Sequence, residues 1–332
     1  MNAVALEILG TGEYVPATRV ASSELDRRWN KPARWTEEQT GVVSRAFVSG
    51  GENVISMGVA AARAALADAH IAAAELDAVV AVGSVPAQAI PCTAAFFHRE
   101  LGLASSGIAA FDINATCLGF LAALDLLAPA IAAGRYRHVL VIASEVASVG
   151  LDWNDPLTAG LFGDGAGAVV LSRSRNPGAS LLAARLQTFS AGVEHCQVQA
   201  GGTLLDPRTN HEKYVEASYF RMKGRATYRL AAALLPNFLE SLARHAGIEL
   251  KQIDTWITHQ ASGRALRHLQ KLLLLPPERF VLTLPTHGNQ ISASLPVALH
   301  RARHDGRLQP GQYVALIGSG AGLSIGGAIL KV

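Results

Sequence analysis

Residues 111–127 read FDINATCLGFLAALDLL. A short apolar strand carrying Phe111 and Ile113 runs into the small polar residues Asn114-Ala115-Thr116. Cys117 follows, and a long apolar helix pattern begins behind it. A cysteine at a strand-to-helix turn lies in the field of the helix N-terminus, which favours thiolate over thiol and hence a nucleophile. The competing reading is a small buried hydrophobe, the common fate of a free cysteine. The rest of the chain has to decide between them.

Half of the 332 residues are hydrophobic and only 17% are charged, enough for a large core in one unit or two fused ones. Cys92, Cys117 and Cys196 are three cysteines without metal-like spacing. The start, MNAVALEILGTG, has no basic n-region and reads as a strand, so a cytoplasmic, thiol-permissive setting is expected. The longest apolar run, residues 117–134, carries Asp125 and Pro129, which argues against a membrane span. A net charge of +3 is too small to imply nucleic-acid binding but allows a local basic patch.

The chain repeats itself at the scale of half its length. LADAHIAAAELDAVVAVGSVP (66–86) parallels LARHAGIELKQIDTWITHQAS (242–262), each with an acidic residue, Asp77 or Asp254, just before a buried-type strand. NATCLGFLAALDLLAPAIAAGRYRHVLVIASE (114–145) parallels the segment from His287 to Gly320, with a polar turn, a helix ended by glycine, and a strand. Gly134 lies 17 residues after Cys117 and Gly306 lies 17 after Asn289, so Cys117 and Asn289 are expected at equivalent helix starts. Continuous apolar strands such as HVLVIAS are covered on both faces, and helices alternate with them. Two α/β halves about a pseudo-twofold axis follow, 1–172 with the cysteine and 173–332 with the polar residues that would face it.

Two glycine-rich stretches are better read as turns than as nucleotide loops. GDGAGA (163–168) precedes a strand, and GSGAG (318–322) leads from one strand to another, so neither opens a helix.

The C-terminal half places Thr258-His259-Gln260 after one strand and His287-Gly288-Asn289 before one helix. Cys117, His259 and Asn289 together make a nucleophile, a hydrogen-bond donor and a polariser. That set admits papain-type hydrolysis or thioester chemistry, and the Cys-Gly-Ser-Cys-Trp signature of the former is missing. With the duplicated α/β pattern, the sequence resembles the thiolase-like condensing enzymes, specifically beta-ketoacyl-acyl carrier protein synthase III. DINATCLGF, FGDGAGAVVL, THQAS and HGNQISASLP carry the resemblance, which spans almost the whole chain.

The resemblance implies a duplicated thiolase-like fold in α-β-α-β-α layers. It implies that Cys117 accepts the acyl group, and that His259 and Asn289 bond the malonyl thioester carbonyl while carbon dioxide leaves. The backbone N–H groups of Cys117 and Ala321 would form the oxyanion hole, with Ala321 standing where the family has glycine. The family's His-Gln-Ala-Asn is His259-Gln260-Ala261-Ser262 here. Trp35 takes the position of an adenine-stacking tryptophan, but the two stacking arginines are replaced by Gln39 and, near the FGDGAG turn, Pro156. Carrier docking falls to Arg225, Arg229 and Arg264, whose helix faces also bear Arg267 and Lys271 at i,i+3 or i,i+4 spacing. Ile90 takes the position that lines a partner's acyl pocket in a homodimer.

The expected function is decarboxylating Claisen condensation of an acyl thioester on Cys117 with a malonyl-carrier thioester. The expected partners are acyl carrier protein and acyl-coenzyme A, in fatty acid or secondary metabolism, with no resident cofactor and no metal. A non-decarboxylating acyltransferase or two-chain condensing enzyme of the same superfamily is the alternative. A non-catalytic partner subunit fits poorly with an intact Cys117, His259 and Asn289.

Overall fold

A computed structural model describes residues 3–176, 178–209 and 211–332. Ten strands form two five-stranded sheets. The first sheet takes β1 (Glu7–Tyr14), β2 (Ala78–Ala81), β3 (Ala109–Asp112), β4 (His138–Glu145) and β5 (Gly165–Ser172). The second takes β6 (Ser180–Thr188), β7 (Thr255–Thr258), β8 (Phe280–Val281), β9 (Tyr313–Gly320) and β10 (Ser324–Lys331). Their strand orders are β1-β5-β4-β2-β3 and β6-β10-β9-β7-β8. The pairings agree step by step: the first two are antiparallel and the last two parallel in each sheet. Each sheet is the other's topology shifted by five strands.

Five helices complete the layers: α1 (Val54–Ala69), α2 (Gly119–Ala132), α3 (Gly224–Ala246), α4 (Gly263–Leu272) and α5 (Ser294–His304). Phe120, Leu121 and Leu124 of α2 share one core with Leu295, Ala298 and Leu299 of α5, and both sheets contribute to it, through Val141 and Leu316 among others. Alternate residues of the same strands face outward. Leu140 and Ile142 pack against Met57, Ala61 and Ala65 of α1, and Ala315 and Ile317 join Phe238, Leu242, Leu266 and Leu269 of α3 and α4. This α-β-α-β-α stack is why β4 and β9 read as continuous apolar runs, with both of their faces in a core.

The repeated acidic residues do the same work in each half. Asp77 accepts the N–H groups of Arg137 and His138 at 2.6 and 2.9 Å, and Asp254 accepts that of Tyr313 at 2.9 Å. Each carboxylate thereby ties the start of a strand to its parallel neighbour. Residues 165–168 of GDGAGA lie within β5 and 318–320 of GSGAG end β9, so both stretches are largely strand where the sequence suggested tight turns, and neither opens a helix. Among the described residues no helix is long and apolar enough to cross a membrane.

Candidate active site

The turn that carries Cys117 and its counterpart in the second half are built alike. Asn114 Oδ1 accepts the N–H of Thr116 at 2.9 Å, and Thr116 takes a φ of 51°. A single 3-10 turn, Thr116–Leu118, then carries Cys117 into α2. In the second half, Asn289 Oδ1 accepts the N–H of Ile291 at 2.9 Å, Ile291 has a φ of 52°, and the 3-10 turn Ile291–Ala293 leads into α5. The spare amide hydrogens are spent alike as well: Asn114 Nδ2 donates to Ser84 O at 3.1 Å and Asn289 Nδ2 to Ala261 O at 3.3 Å. The two 3-10 turns pack against each other across the interface of the halves.

This geometry corrects the expected pairing of Cys117 with Asn289. The counterpart of Asn289 is Asn114, and that of Cys117 is Ser292, each pair 175 residues apart. Counting back from the glycines misaligned them because α2 has 14 residues and α5 has 11. The conclusion that the two helix starts face each other stands on the packing of the turns.

His259 extends β7, its N–H donating to Ile317 O at 2.8 Å, and its side chain is buried. It lies against Gly318, where a Cβ would come 3.1 Å from that of His259 and 2.8 Å from Leu118 Cδ2. Glycine at this place in β9 leaves the room that His259 and the Cys117 turn occupy. Burial pushes His259 down to about 4, so the ring is neutral at pH 7, and its Nδ1 has no partner among the described residues. Asn289 is also buried, with one amide hydrogen on Ala261 and no partner for the second among the described residues.

Cys117 is half-buried. Burial pushes the thiol up to about 12, and the charges of Glu145 and Cys196 push the same way. The backbone N–H groups of Ala321 and of Cys117 itself pull it down. The resting group is therefore a thiol, a correction to the thiolate expected from the helix start: desolvation outweighs the helix field. The N–H groups that act on the sulfur are those of Cys117 and Ala321, the pair expected from the sequence to form the oxyanion hole.

A cavity of about 170 Å³ runs from His259 and Ser262 between α3 and α4. Its walls are mainly apolar, with Ala231, Leu235, Leu266 and Ile325 among them, and Tyr228 and His268 supply polar edges. Cys117 and Asn289 do not line it. Arg225 and Arg229 stand exposed on α3, and Arg264, Arg267 and Lys271 on α4, the helices that form its walls. The short helix Trp35–Thr40 meets the start of α4 through a close Gly41–Gly263 backbone contact. Trp35 is half-buried there with the Lys31 ammonium 5.1 Å above its ring, and Gln39 is exposed. Ile90 is 83% exposed on a surface loop, so this chain alone does not bring it to the site.

Ser262 caps α4, its Oγ accepting the N–H of Ala265 at 3.3 Å, which gives the altered fourth residue of the THQAS stretch a structural use. Gln260 is structural too, bonding Thr258, Val281, Thr283 and Leu284. The residues the sequence reading missed are Asn114, Ser84, Glu145 and Ser292. The spacing Asn-x-Thr-Cys against Asn-x-Ile-Ser, and a glutamate closing the apolar run HVLVIASE, were the available signals.

Two family models match the chain: 3-oxoacyl-[acyl-carrier-protein] synthase III over residues 111–190, and the C-terminal part of the same family over residues 243–332. The chain is 37% identical to the beta-ketoacyl-[acyl-carrier-protein] synthase III of Bordetella petrii, over 98% of this chain and 97% of that one. It is 38% identical to the enzyme of the same name from Rhodospirillum rubrum, over 98% of each. The crystal structure of 3-oxoacyl-[acyl-carrier-protein] synthase III from Aquifex aeolicus superposes with a TM-score of 0.89 at 30% identity, over 98% of this chain and 100% of that one. The priming beta-ketosynthase of the R1128 polyketide pathway superposes with a TM-score of 0.87 at 30% identity, over 99% and 97%.

Proposed function

Because the chain belongs to the 3-oxoacyl-[acyl-carrier-protein] synthase III family, we propose that it joins an acyl group held on Cys117 to a malonyl-carrier thioester with loss of carbon dioxide. The observation that carries the reading is the asymmetry of the paired turns. One carries Cys117, on whose thiol the N–H groups of Cys117 and Ala321 act, and the other carries Asn289, whose carboxamide bonds Ala261 two residues after the neutral His259.

In the first half-reaction the Cys117 sulfur attacks the acyl thioester carbonyl, and its proton ends on the departing thiol. The N–H groups of Cys117 and Ala321 bond the oxyanion that forms between these events. In the second, the C–C bond to the malonyl carboxylate breaks, carbon dioxide leaves, and the electron pair becomes a thioester enolate. Asn289 Nδ2 and the N–H of neutral His259 donate to that enolate oxygen. The enolate carbon then attacks the acyl-Cys117 carbonyl, and expulsion of the sulfur releases a beta-ketoacyl thioester. A neutral imidazole suits this role, since it donates without bringing a charge into a buried site.

The cavity between α3 and α4 takes the pantetheine arm of a carrier or of coenzyme A. The exposed Arg225, Arg229 and Arg264 meet the acidic surface of acyl carrier protein. Trp35 guides the arm at the mouth with Lys31, not an arginine, over its ring. The protein works as a homodimer whose partner copy supplies Ile90 to the acyl pocket, in the cytoplasm and with no resident cofactor. The likeness to a polyketide priming ketosynthase supports a secondary-metabolic setting beside fatty acid synthesis. Pure acyl transfer would leave His259 and the second amide hydrogen of Asn289 without work, which favours decarboxylation.

Incubation with a panel of acyl-coenzyme A and acyl-carrier thioesters, followed by intact-mass measurement and addition of malonyl-carrier protein, tests the proposal. A stable acyl adduct that converts to a beta-ketoacyl product supports it. An adduct that never yields such a product, with carbon dioxide absent, would reduce the protein to an acyltransferase.

A further inference from the structure

Glu145 ends β4 with only 2% of its surface exposed, and no step above uses it. Its Oε1 accepts the N–H of Ser84 at 2.7 Å, the Oγ–H of Ser292 at 2.5 Å and the N–H of Ser292 at 3.4 Å. These donors belong to different halves. Ser84 is the residue whose carbonyl is held by Asn114, and so belongs to the latch of the nucleophile turn. Ser292 directly follows Ile291, whose N–H orients the Asn289 carboxamide. One carboxylate oxygen thus joins the two turns whose geometry the reaction needs.

Its counterpart sharpens the point. In the second sheet the equivalent of Glu145 is Gly320, the last residue of β9. A Cβ at Gly320 would lie 2.8 Å from Thr116 Oγ1 and 3.2 Å from Leu118 Cγ. Opposite the working nucleophile the strand ends in glycine and leaves room. Opposite Ser292, which occupies the cysteine's place in the other half, it ends in a carboxylate that grips the serine.

We propose that Glu145 is a positioning residue for the decarboxylating half-reaction, holding the Asn289–Ser292 turn against the nucleophile turn. This rests on Cys117 and Asn289 acting as described above. The carboxylate also has an electrostatic signature. Burial pushes Glu145 up to about 7, and its charge raises the Cys117 thiol beyond what burial does. Removing the charge therefore lowers the thiol's pKa and moves acyl loading to lower pH.

Glu145→Gln keeps an oxygen acceptor of the same length without the charge, and Glu145→Ala removes both. The test measures acylation rate against pH by intact mass, carbon dioxide release from a malonyl thioester, and folding by circular dichroism. Glu145→Ala should reach close to the wild-type loading rate along a profile moved to lower pH, and release carbon dioxide about tenfold more slowly or worse, the scale of a lost charge-assisted hydrogen bond. Glu145→Gln should recover most of that release while its loading profile moves to lower pH. Equal loss of both half-reactions, or an unmoved loading profile in Glu145→Gln, overturns the inference. If Glu145→Ala does not fold, Ser292→Ala, which removes the hydroxyl the carboxylate holds, takes its place with the same slowing of carbon dioxide release expected and the same equal loss overturning the inference. Absence of acyl on wild-type Cys117 would instead overturn the reading of the site, and the inference with it.

Discussion

Cys117 and Ser292 occupy the same place in two copies of one device. Each is the second residue of a single 3-10 turn, behind a residue at φ 51° or 52° whose N–H is held by an asparagine. In one copy the place holds the cysteine proposed as nucleophile, and in the other a serine tied to Glu145. Duplication supplied two facing turns, and divergence gave them different tasks.

The asparagine latches should therefore fail differently. Asn114→Ala frees the Thr116 N–H and the Ser84 carbonyl, loosening the turn that aims Cys117. Acyl loading should fall about tenfold, while carbon dioxide release from a malonyl thioester by already acylated enzyme falls less. Each lost hydrogen bond is worth roughly 0.5–1.5 kcal/mol. Asn289→Ala should show the reverse order. Identical profiles for the two variants would contradict separate roles for the turns.

His259 should stay neutral well below the ordinary imidazole range. Its folded value is depressed to about 4 by burial, so the stability it contributes is present above the unfolded value near 6.5 and lost as pH falls through the folded one. Nitrogen NMR of ring-labelled protein, with His259→Ala for assignment, should show a neutral ring at pH 6. A titration centred near 6.5 would remove the neutral donor from the mechanism.

Much of this architecture was legible in the residues. Strands with both faces in a core had to be apolar throughout, so HVLVIAS and DAVVAVGS announced themselves, and Asp77 and Asp254 marked the repeat because a buried strand start needs an acceptor there. The register of the repeat was not legible, because α5 is three residues shorter than α2 and the connection to β9 is longer to compensate. The state of Cys117 was also hidden. A helix start is visible in sequence, but the Glu145 charge and the Ala321 N–H that act on the thiol come from residues far away in the chain. Glu145 escaped notice for the same reason, since its partners Ser84 and Ser292 lie 61 and 147 residues away.

Gly318→Ala probes the close approach behind His259. The added methyl would press on Leu118 Cδ2 at 2.8 Å and His259 Cβ at 3.1 Å, between two well-packed elements. Overpacking of this kind costs roughly 1–3 kcal/mol. The melting temperature should drop while the protein still folds, and carbon dioxide release should suffer more than that drop accounts for. Wild-type rates would show that His259 and the nucleophile turn are not held by this contact.

Carrier recognition should separate from chemistry. Arg264 is exposed and takes part in no ion pair among the described residues, so Arg264→Glu should leave the fold intact. The apparent KM for malonyl-carrier protein should rise with little change in kcat, and added salt should weaken the wild type in the same sense. A small malonyl-pantetheine thioester should react as before. Equal damage to both substrates would place Arg264 in the pocket or the fold.

The division of labour between the halves is tested most directly by His259→Ala, with acyl-enzyme mass and labelled carbon dioxide followed on one preparation. Loading creates no enolate, so the variant should carry a full acyl adduct, mapped to the Cys117 peptide and absent from those of Cys92 and Cys196. Carbon dioxide release from the malonyl thioester should fall by about 100-fold or more, the scale of one lost donor in an anion-stabilising site. Parallel loss of acylation and decarboxylation, or an adduct on another cysteine, would contradict the account.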